Sequence, residues 1–460
     1  MVSFWIYDVS FLVLFSLFIV WVIKKNRKSM SREGVVFMWR TRFGMKAINY
    51  VGDNFKRALH ALKYLIIGVG FVLMGVMLWM LGQTVSIYVL HPEITKLVKA
   101  PPIAPLIPYF PKLFGMESFF PPFYFTYFLV ALAVVAIVHE FSHGIFMRLF
   151  KVKIKSTGLV FLGPVLGAFV EQDDKSFEKK KKVEQMTVLG AGVFANLLFA
   201  FIFYLFYVGF FFSSFAASGY IFNSYGIEAV PLGSITGFSN ESNGLVKVMT
   251  NGSNYYLDEG LAVQLLNENG EYLIAYAEAP AVLARMKGAI VEADGVKIVG
   301  QDSLRKFLED KNPGDVVKFV TEDSDGVNEY EIVLSEHPDG SGRAYLGVGN
   351  TVSEPRGIVQ KLLVKFMGFK EDSTFYKPTW DGEFVYFIYY LLWWVMVINL
   401  LVAMFNMMPL GMLDGGRFFM LAVWGVFGSE KFAKMMYRVV GYLILLMFLA
   451  MMFFWFVGIV

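Results

Sequence analysis

Not one cysteine occurs among the 460 residues. Disulfides, thiolate metal sites and a thiol nucleophile are therefore excluded, while the redox compartment stays open. Charge is also scarce: Asp, Glu, Lys and Arg make up 17% of the chain, where a soluble domain carries about 25%. With 56% hydrophobic and 17% aromatic residues, the chain has more apolar surface than a soluble fold can cover. This composition excludes an ordinary cytosolic enzyme, a disordered chain and a nucleic-acid binder. The 41 basic and 38 acidic residues leave a net charge of +3, which names no polyanionic partner. Histidine is limited to His60, His91, His139, His143 and His337. A metal site would have to be built from these and from Asp and Glu.

Long apolar runs are abundant. A bilayer core needs roughly 20 apolar residues per helix, and six stretches qualify: Phe4–Ile23, Tyr64–Leu90, Phe123–Phe150, Thr187–Phe212, Phe384–Met407 and Val439–Val460. They predict a polytopic α-helical membrane protein of about six transmembrane helices. No basic residues precede the first run and no small-residue cleavage site follows it, so it is expected to be a retained span rather than a signal peptide. Lys and Arg crowd residues 24–63 and 151–182, including the run Lys179–Lys182, whereas Lys96, Lys99 and Lys112 are the basic residues between spans two and three. The positive-inside rule then puts both termini outside a cell membrane and the two basic loops in the cytoplasm. The lysine run is a topology signal that could also attract anionic lipid headgroups.

Four segments follow. Residues 1–122 hold two spans and a basic cytoplasmic loop, 123–212 two spans with a short β segment between them, 213–382 an inserted domain, and 383–460 the last two spans. The insert is rich in Gly, Asn, Asp, Glu and Ser and is expected to be extracytoplasmic. Its second half predicts strands at 288–293, 316–321 and 329–334, with turns at Asp294-Gly295 and Pro313-Gly314 and a helix over 302–310. The run KGAIVEADGVKIVGQDSLRKFLEDKNPGDVVKFV resembles a PDZ domain, an α+β fold that binds extended peptides by adding a strand to a sheet edge. The plainer alternative is a spacer domain. Residues 213–285 predict more strands and turns, in the same domain or a separate one.

The third span ends in chemistry, with His139-Glu140-Phe141-Ser142-His143. Residues i and i+4 share one helix face, so both imidazoles can hold one Zn²⁺, and Glu140 stands beside the open position, where it can take a proton from water. The alternative, two core histidines and a glutamate, is costly to insert in a membrane without a compensating partner. A catalytic zinc keeps three protein ligands, and no other histidine is well placed. The candidate is Asp414, in an apolar stretch broken by Pro409 and the glycines 411, 415 and 416. Spans three and five run in the same direction, so Asp414 reaches the membrane face of His139 and His143. The alternative is an Asp capping a helix over 417–427.

Together these motifs resemble the site-2 protease family of intramembrane zinc metalloproteases, in its archaeal and bacterial style. The match rests on H-E-x-x-H at 139–143, on Asn406, Pro409 and the Leu413-Asp414-Gly415 run, on Gly192-x-x-x-Asn196 opening span four, and on the re-entrant β segment at 163–171. Met407 replaces a proline that the family commonly has, and the first two spans add nothing to the match. The resemblance implies that one zinc ion is held by His139, His143 and Asp414, with Glu140 as general base and then proton donor. It implies that Asn196, Asn406 and Pro409 serve the substrate side, Asn196 holding a substrate strand or the oxyanion. A small-residue helix contact at Gly192 would equally account for that stretch.

A helical substrate shields its carbonyls, so it must unwind at the site. Residues 156–170 are too short to span and suit a hairpin whose edge pairs with the unwound strand, or alternatively a small cytoplasmic hairpin. The expected activity is regulated intramembrane proteolysis of single-span membrane proteins within the lipid bilayer, with a prior-acting protease as a possible partner. Three alternatives stand beside it. A membrane metalloprotease of the prenyl-protein or quality-control type uses a glutamate as third ligand. A catalytically idle PDZ-bearing scaffold would lack Glu140 or a ligand. A transporter suits a single zinc triad poorly.

Overall fold

The computed structural model describes residues 4–90, 101–102, 106–241, 244–258, 271–323, 326–350, 361, 364, 368–411 and 413–459; His91, Lys96 and Lys99 lie outside the described residues. The chain divides into two compact units, Met1–Phe210 with Tyr386–Val460, and Phe211–Val385.

The first unit is helical. In chain order its longer helices are α1 (Phe4–Asn26), α2 (Met45–Asn54), α3 (Lys56–Leu90), α4 (Phe125–Leu149), α5 (Lys182–Ser214), α6 (Gly382–Asn406), α7 (Asp414–Phe427) and α8 (Glu430–Ile459). All but α2 and α7 are long and apolar enough to cross a membrane, which makes this a polytopic helical membrane protein. The chain leaves the first unit along α5 and returns along α6. Helix α3 starts at Lys56, ahead of the expected span, because no Gly or Pro interrupts residues 56–63.

Two apolar clusters hold the bundle. Phe125, Phe128, Ala131 and Val135 of α4 pack with Trp394, Val395 and Ile398 of α6. Further along, Phe146 and Met147 of α4 and Ala403 of α6 meet Val188 and Ala191 of α5, Ile66 of α3 and Phe418 of α7. The stretch of α4 around residues 139–143 falls between the two clusters.

Beside the helices lies a four-stranded antiparallel sheet in the order β1 (Met30–Glu33), β2 (Val36–Thr41), β3 (Ile154–Leu162), β4 (Val165–Gln172). Strands β3 and β4 form a tight hairpin, Leu162 opposite Val165, with Gly163 at φ 58° in the turn. Val165, at the tip, packs against the first apolar cluster. The segment between spans one and two, expected to be a basic loop, supplies β1, β2 and α2. The run Val36-Phe37-Met38-Trp39 follows a turn at Gly34 (φ 63°) and pairs with β3, Phe37 opposite Phe161 and Thr41 opposite Thr157. Its β-branched and aromatic residues suit a half-buried strand.

The second unit contains two larger sheets. A five-stranded antiparallel sheet spans Ile227–Pro231, Ile235–Asn240, Leu245–Thr250, Asn254–Asp258 and Tyr272–Ala277. It has its own small core of Val230, Val246, Val248, Leu257 and Leu273. The other sheet joins Gly326–Val333, Val316–Asp323, Ala289–Ala293, Phe215–Tyr220 and Thr374–Pro378 around Ile290, Val317, Phe319 and Leu304, the last from the helix Gln301–Glu309. Asp294 (φ 46°) and Gly295 (φ 81°) make the turn between paired Ala293 and Val296, the positive-φ pair that a two-residue hairpin turn needs.

Candidate metal centre

Helix α4 is apolar for most of its length, so its histidines are fixed by packing. His139 and His143 lie one turn apart on one face and are both buried. Their Nε2 atoms are 3.0 Å apart. The third group comes from the first residue of α7: Asp414 Oδ2 lies 3.0 Å from His139 Nε2 and 3.3 Å from His143 Nε2.

A turn delivers that carboxylate. Helix α6 stops at Asn406, and Pro409 sits buried in the reversal that follows. Proline has no N–H with which to continue the helix. Leu410 N–H then donates to Met408 O (2.7 Å) and Leu413 N–H to Leu410 O (3.1 Å). A Cβ on Gly415 would lie 2.3 Å from the Met407 carbonyl, and one on Gly416 2.2 Å from Leu410 O. Only glycine lets α7 start this close to the turn. Leu413 is the N-cap residue and makes no side-chain cap, and the Asp414 carboxylate is turned to the histidines.

The three ligand atoms fit one ion. Zinc bonds of about 2.0–2.1 Å give a tetrahedron with edges of about 3.3 Å, close to the observed 3.0, 3.0 and 3.3 Å. Each ring is also held from behind. His143 Nδ1–H donates to the Val188 carbonyl at 2.7 Å, since a carbonyl can only accept, and that leaves Nε2 bare. His139 Nδ1 lies 3.1 Å from the Asn196 amide nitrogen, while Asn196 Oδ1 is buried with no partner among the described residues. Turning the amide over places Oδ1 on His139 Nδ1–H, satisfies the orphaned oxygen and again leaves Nε2 bare, the arrangement that orients metal-ligating histidines. Gly192 makes room for both rings: a Cβ there would lie 2.6 Å from His143 Nε2 and 2.7 Å from His139 Cε1.

Glu140 Oε2 accepts the Val170 amide of β4 at 2.9 Å. The next residue, Glu171, accepts from Ser156 Oγ (2.7 Å) and Arg40 Nε (3.1 Å), and these two donors hold its carboxyl below the usual range. The structure thus brings His139, Glu140, His143, Asn196 and Asp414 to one place. Asn406 and Pro409 shape the reversal before Asp414, and among the described residues neither hydrogen-bonds the cluster. His60, on α3, packs edge-on against Phe150, and His337 pairs with Asp339 in the other unit. The sequence reading missed the Val188 carbonyl, the Val170 amide and the reach of Gly192 to both rings. Only Gly192 left a signal, as a small residue four positions before Asn196.

The model of Peptidase family M50 matches residues 127–448. A protein of Methanocaldococcus jannaschii, described as uncharacterized, is 29% identical over 202 residues, 42% of this chain and 49% of its own length. The chain thus spans about half the length of that relative.

Proposed function

The chain belongs to Peptidase family M50, the site-2 protease family, and from that premise we propose that it is a zinc-dependent endopeptidase that cuts within membrane-spanning segments of other membrane proteins. One observation carries the reading: three ligand atoms 3.0–3.3 Å apart, in a polar layer between two apolar clusters of membrane-spanning helices. His139, His143 and Asp414 would hold the ion. A zinc ion bound there supplies Lewis acidity toward the scissile carbonyl and lowers the pKa of water.

The chain's own residues do the rest. Glu140 takes a proton from the attacking water and passes it to the leaving amine. With its amide turned onto His139, Asn196 holds its NH₂ at the buried position where Oδ1 now lies, and it becomes a donor to a substrate carbonyl or the oxyanion once substrate opens that position. Val170 N–H points to Glu140, away from β3, and by the two-residue period of a strand Ala168 and Leu166 present their backbone groups along the same edge. An unwound substrate can pair there as an added strand. An apolar groove of about 400 Å³ between α4 and α5, lined by Val130, Val134, Ile137, Phe199 and Phe203, begins one turn from His139 and Asn196 and suits an apolar segment.

We also propose the PDZ-like role for residues 213–382. Supporting it is a groove of about 320 Å³ between the helix Gln301–Glu309 and residues 343–348, a helix-and-strand setting for an extended peptide. The charge asymmetry of the loops supports an extracytoplasmic position for this domain and for both termini, with the metal site toward the cytoplasm. A prior cut that exposes a new terminus would give the groove its ligand.

The test is cleavage of single-span peptides in proteoliposomes by wild type, Glu140→Gln and Asp414→Asn, with zinc measured in each. Wild type is expected to cut within the apolar segment. Glu140→Gln should keep its zinc and lose about 10²–10⁴-fold in rate, and Asp414→Asn should lose both zinc and activity. A wild type without zinc, or a Glu140→Gln protein that cuts at the wild-type rate, would refute the reading. Zinc bound with no cutting would leave the scaffold reading in its place.

A further inference from the structure

A second ionisable group lies buried in the bundle, and the proposed chemistry does not use it. Asp8, on α1, is 1% exposed, in a helix whose only other buried residue is Ile19. Its Oδ2 accepts from Tyr109 OH (2.6 Å) and the Phe125 amide (2.7 Å), and its Oδ1 from the Thr126 amide (2.9 Å) and hydroxyl (2.6 Å). Phe125 and Thr126 are the first two residues of α4, and Tyr124, at the N-cap position, makes no side-chain cap. The opening N–H groups of a helix have no partner within it, and Phe125, 1% exposed, is closed to water that would supply one. Asp8 supplies it from another span.

The docking is reinforced nearby and at the far end. Phe4 meets Tyr124 edge-on at 4.8 Å, and Phe11 and Phe15 pack on Phe125 at 5.8 and 5.7 Å. At the other end of α4, Ile48 of α2 fills the notch at Gly144, where a Cβ would lie 2.7 Å from its Cδ1. Asp53 there takes two bonds from Arg148, of 2.6 and 3.0 Å. His139, Glu140 and His143 lie between these two clamps on one uninterrupted helix. Asp8, Ile48 and Asp53 all precede residues 127–448, the part matched by the family model.

We propose that Asp8 is a positioning residue: by capping α4 from the first span it sets the axial position and rotation at which His139, Glu140 and His143 face Asp414. The proposal rests on the metalloprotease reading for its consequence, and on the hydrogen bonds alone for its cause. An Asn at position 8 keeps one acceptor oxygen and meets the other donor pair with its NH₂, so it preserves about half of the cap. Ala preserves none.

The test uses the full chain, with Asp8→Ala, Asp8→Asn, Thr126→Val and, as control, Ser10→Ala, whose hydroxyl bonds among the described residues only to Ile6 O on the same helix. Three quantities are read: amide exchange over 125–130, the rate of zinc release into a chelator, and kcat and KM on one single-span substrate. Asp8→Ala should speed exchange and zinc release and lower kcat about tenfold, the effect of a strong cap, with KM unchanged. Asp8→Asn and Thr126→Val should fall between it and wild type, and these milder changes keep the test decisive if the Ala protein does not fold. Faster exchange with zinc release and kcat as in wild type would overturn the proposal, leaving Asp8 a stabilising cap alone, and unchanged exchange would overturn it outright. A wild type that cuts nothing refutes the protease reading instead, and zinc release still judges Asp8.

Discussion

Adding a single methyl group at Gly192 should disable the metal centre. A Cβ built there lies 2.6 Å from His143 Nε2, 2.7 Å from His139 Cε1 and 2.8 Å from His139 Nδ1. Ordinary contact is about 3.5 Å, so α5 or the rings must yield by about 0.8 Å. Metal–ligand distances tolerate about 0.2 Å. Neither ring can swing freely, because one is tied to the Val188 carbonyl and the other to Asn196. Overpacking of this kind costs about 1–3 kcal/mol, equivalent to a loss of about tenfold to a hundredfold in zinc affinity. The helix itself is not weakened, since Ala is favoured over Gly by about 1 kcal/mol in a helix interior. Gly209→Ala on the same helix gains that preference and meets nothing within 4 Å among the described residues, so it is the matched control. Both proteins would be titrated with a zinc-competing chelator and assayed for cleavage. If Gly192→Ala held zinc as tightly as Gly209→Ala, the arrangement of α5 against the histidines would be wrong.

Other expectations follow from single contacts. Asn196→Ala should lower zinc affinity about tenfold to a hundredfold by freeing the His139 ring. Asn196→Asp, which still accepts from Nδ1–H, should retain zinc but cut slowly for want of an N–H donor, and chelator titration beside kcat separates the two. Gly415→Ala puts a Cβ 2.3 Å from the Met407 carbonyl; backbone cannot step aside, so α7 should shift, carrying Asp414 off the histidines, with a loss of zinc on purification. In the second unit, Lys311 Nζ at 2.7 Å and the Lys318 amide at 2.8 Å hold the Asp294 carboxyl below its usual range. A lowered folded-state pKa gives stability that is present above the unfolded value of about 3.9 and is lost as pH falls through the folded value. Asp294→Asn tolerates the same positive φ, and after solvent screening should cost about half a kcal/mol at pH 7. In strong acid it should cost nothing, as read by amide exchange in strands 289–293 and 316–323.

How much of this was legible in the sequence depends on where each signal lies. The six apolar runs correspond to six helices because length and hydropathy alone set a membrane span. His139, Glu140 and His143 stood out because the i, i+4 spacing is local to one helix. Asp414 could be placed beside them only by counting spans, and the turn that delivers it rests on Gly415 and Gly416, whose close contacts with Met407 and Leu410 no pattern reveals. Strands β1 and β2 went unread because the charges around Met30–Thr41 drew attention to topology. Yet Gly34 before Val-Val-Phe-Met-Trp is an ordinary hairpin signal. Asp8 was there to be read as well, as an acidic residue within an apolar span, where such a group needs a partner.

The partners of the bundle's polar groups share a reason for having escaped notice. His143 is tied to the carbonyl of Val188, Glu140 to the amide of Val170, and Asp8 to the amides of Phe125 and Thr126. Most of these partners are main-chain groups of apolar residues, so they carry no mark in composition or periodicity. Val188, inside α5, accepts on the second lone pair of its carbonyl. The amides are free because the local backbone leaves them without a mate: an edge strand for Val170, a helix start for Phe125 and Thr126. A membrane interior demands that every such group be satisfied, and here the same demand orients the histidines, the glutamate and the helix that carries them. The groups that position the site are therefore the ones that also let it exist among apolar helices, which is why replacing Asp8 or Asn196 should change zinc binding together with local stability.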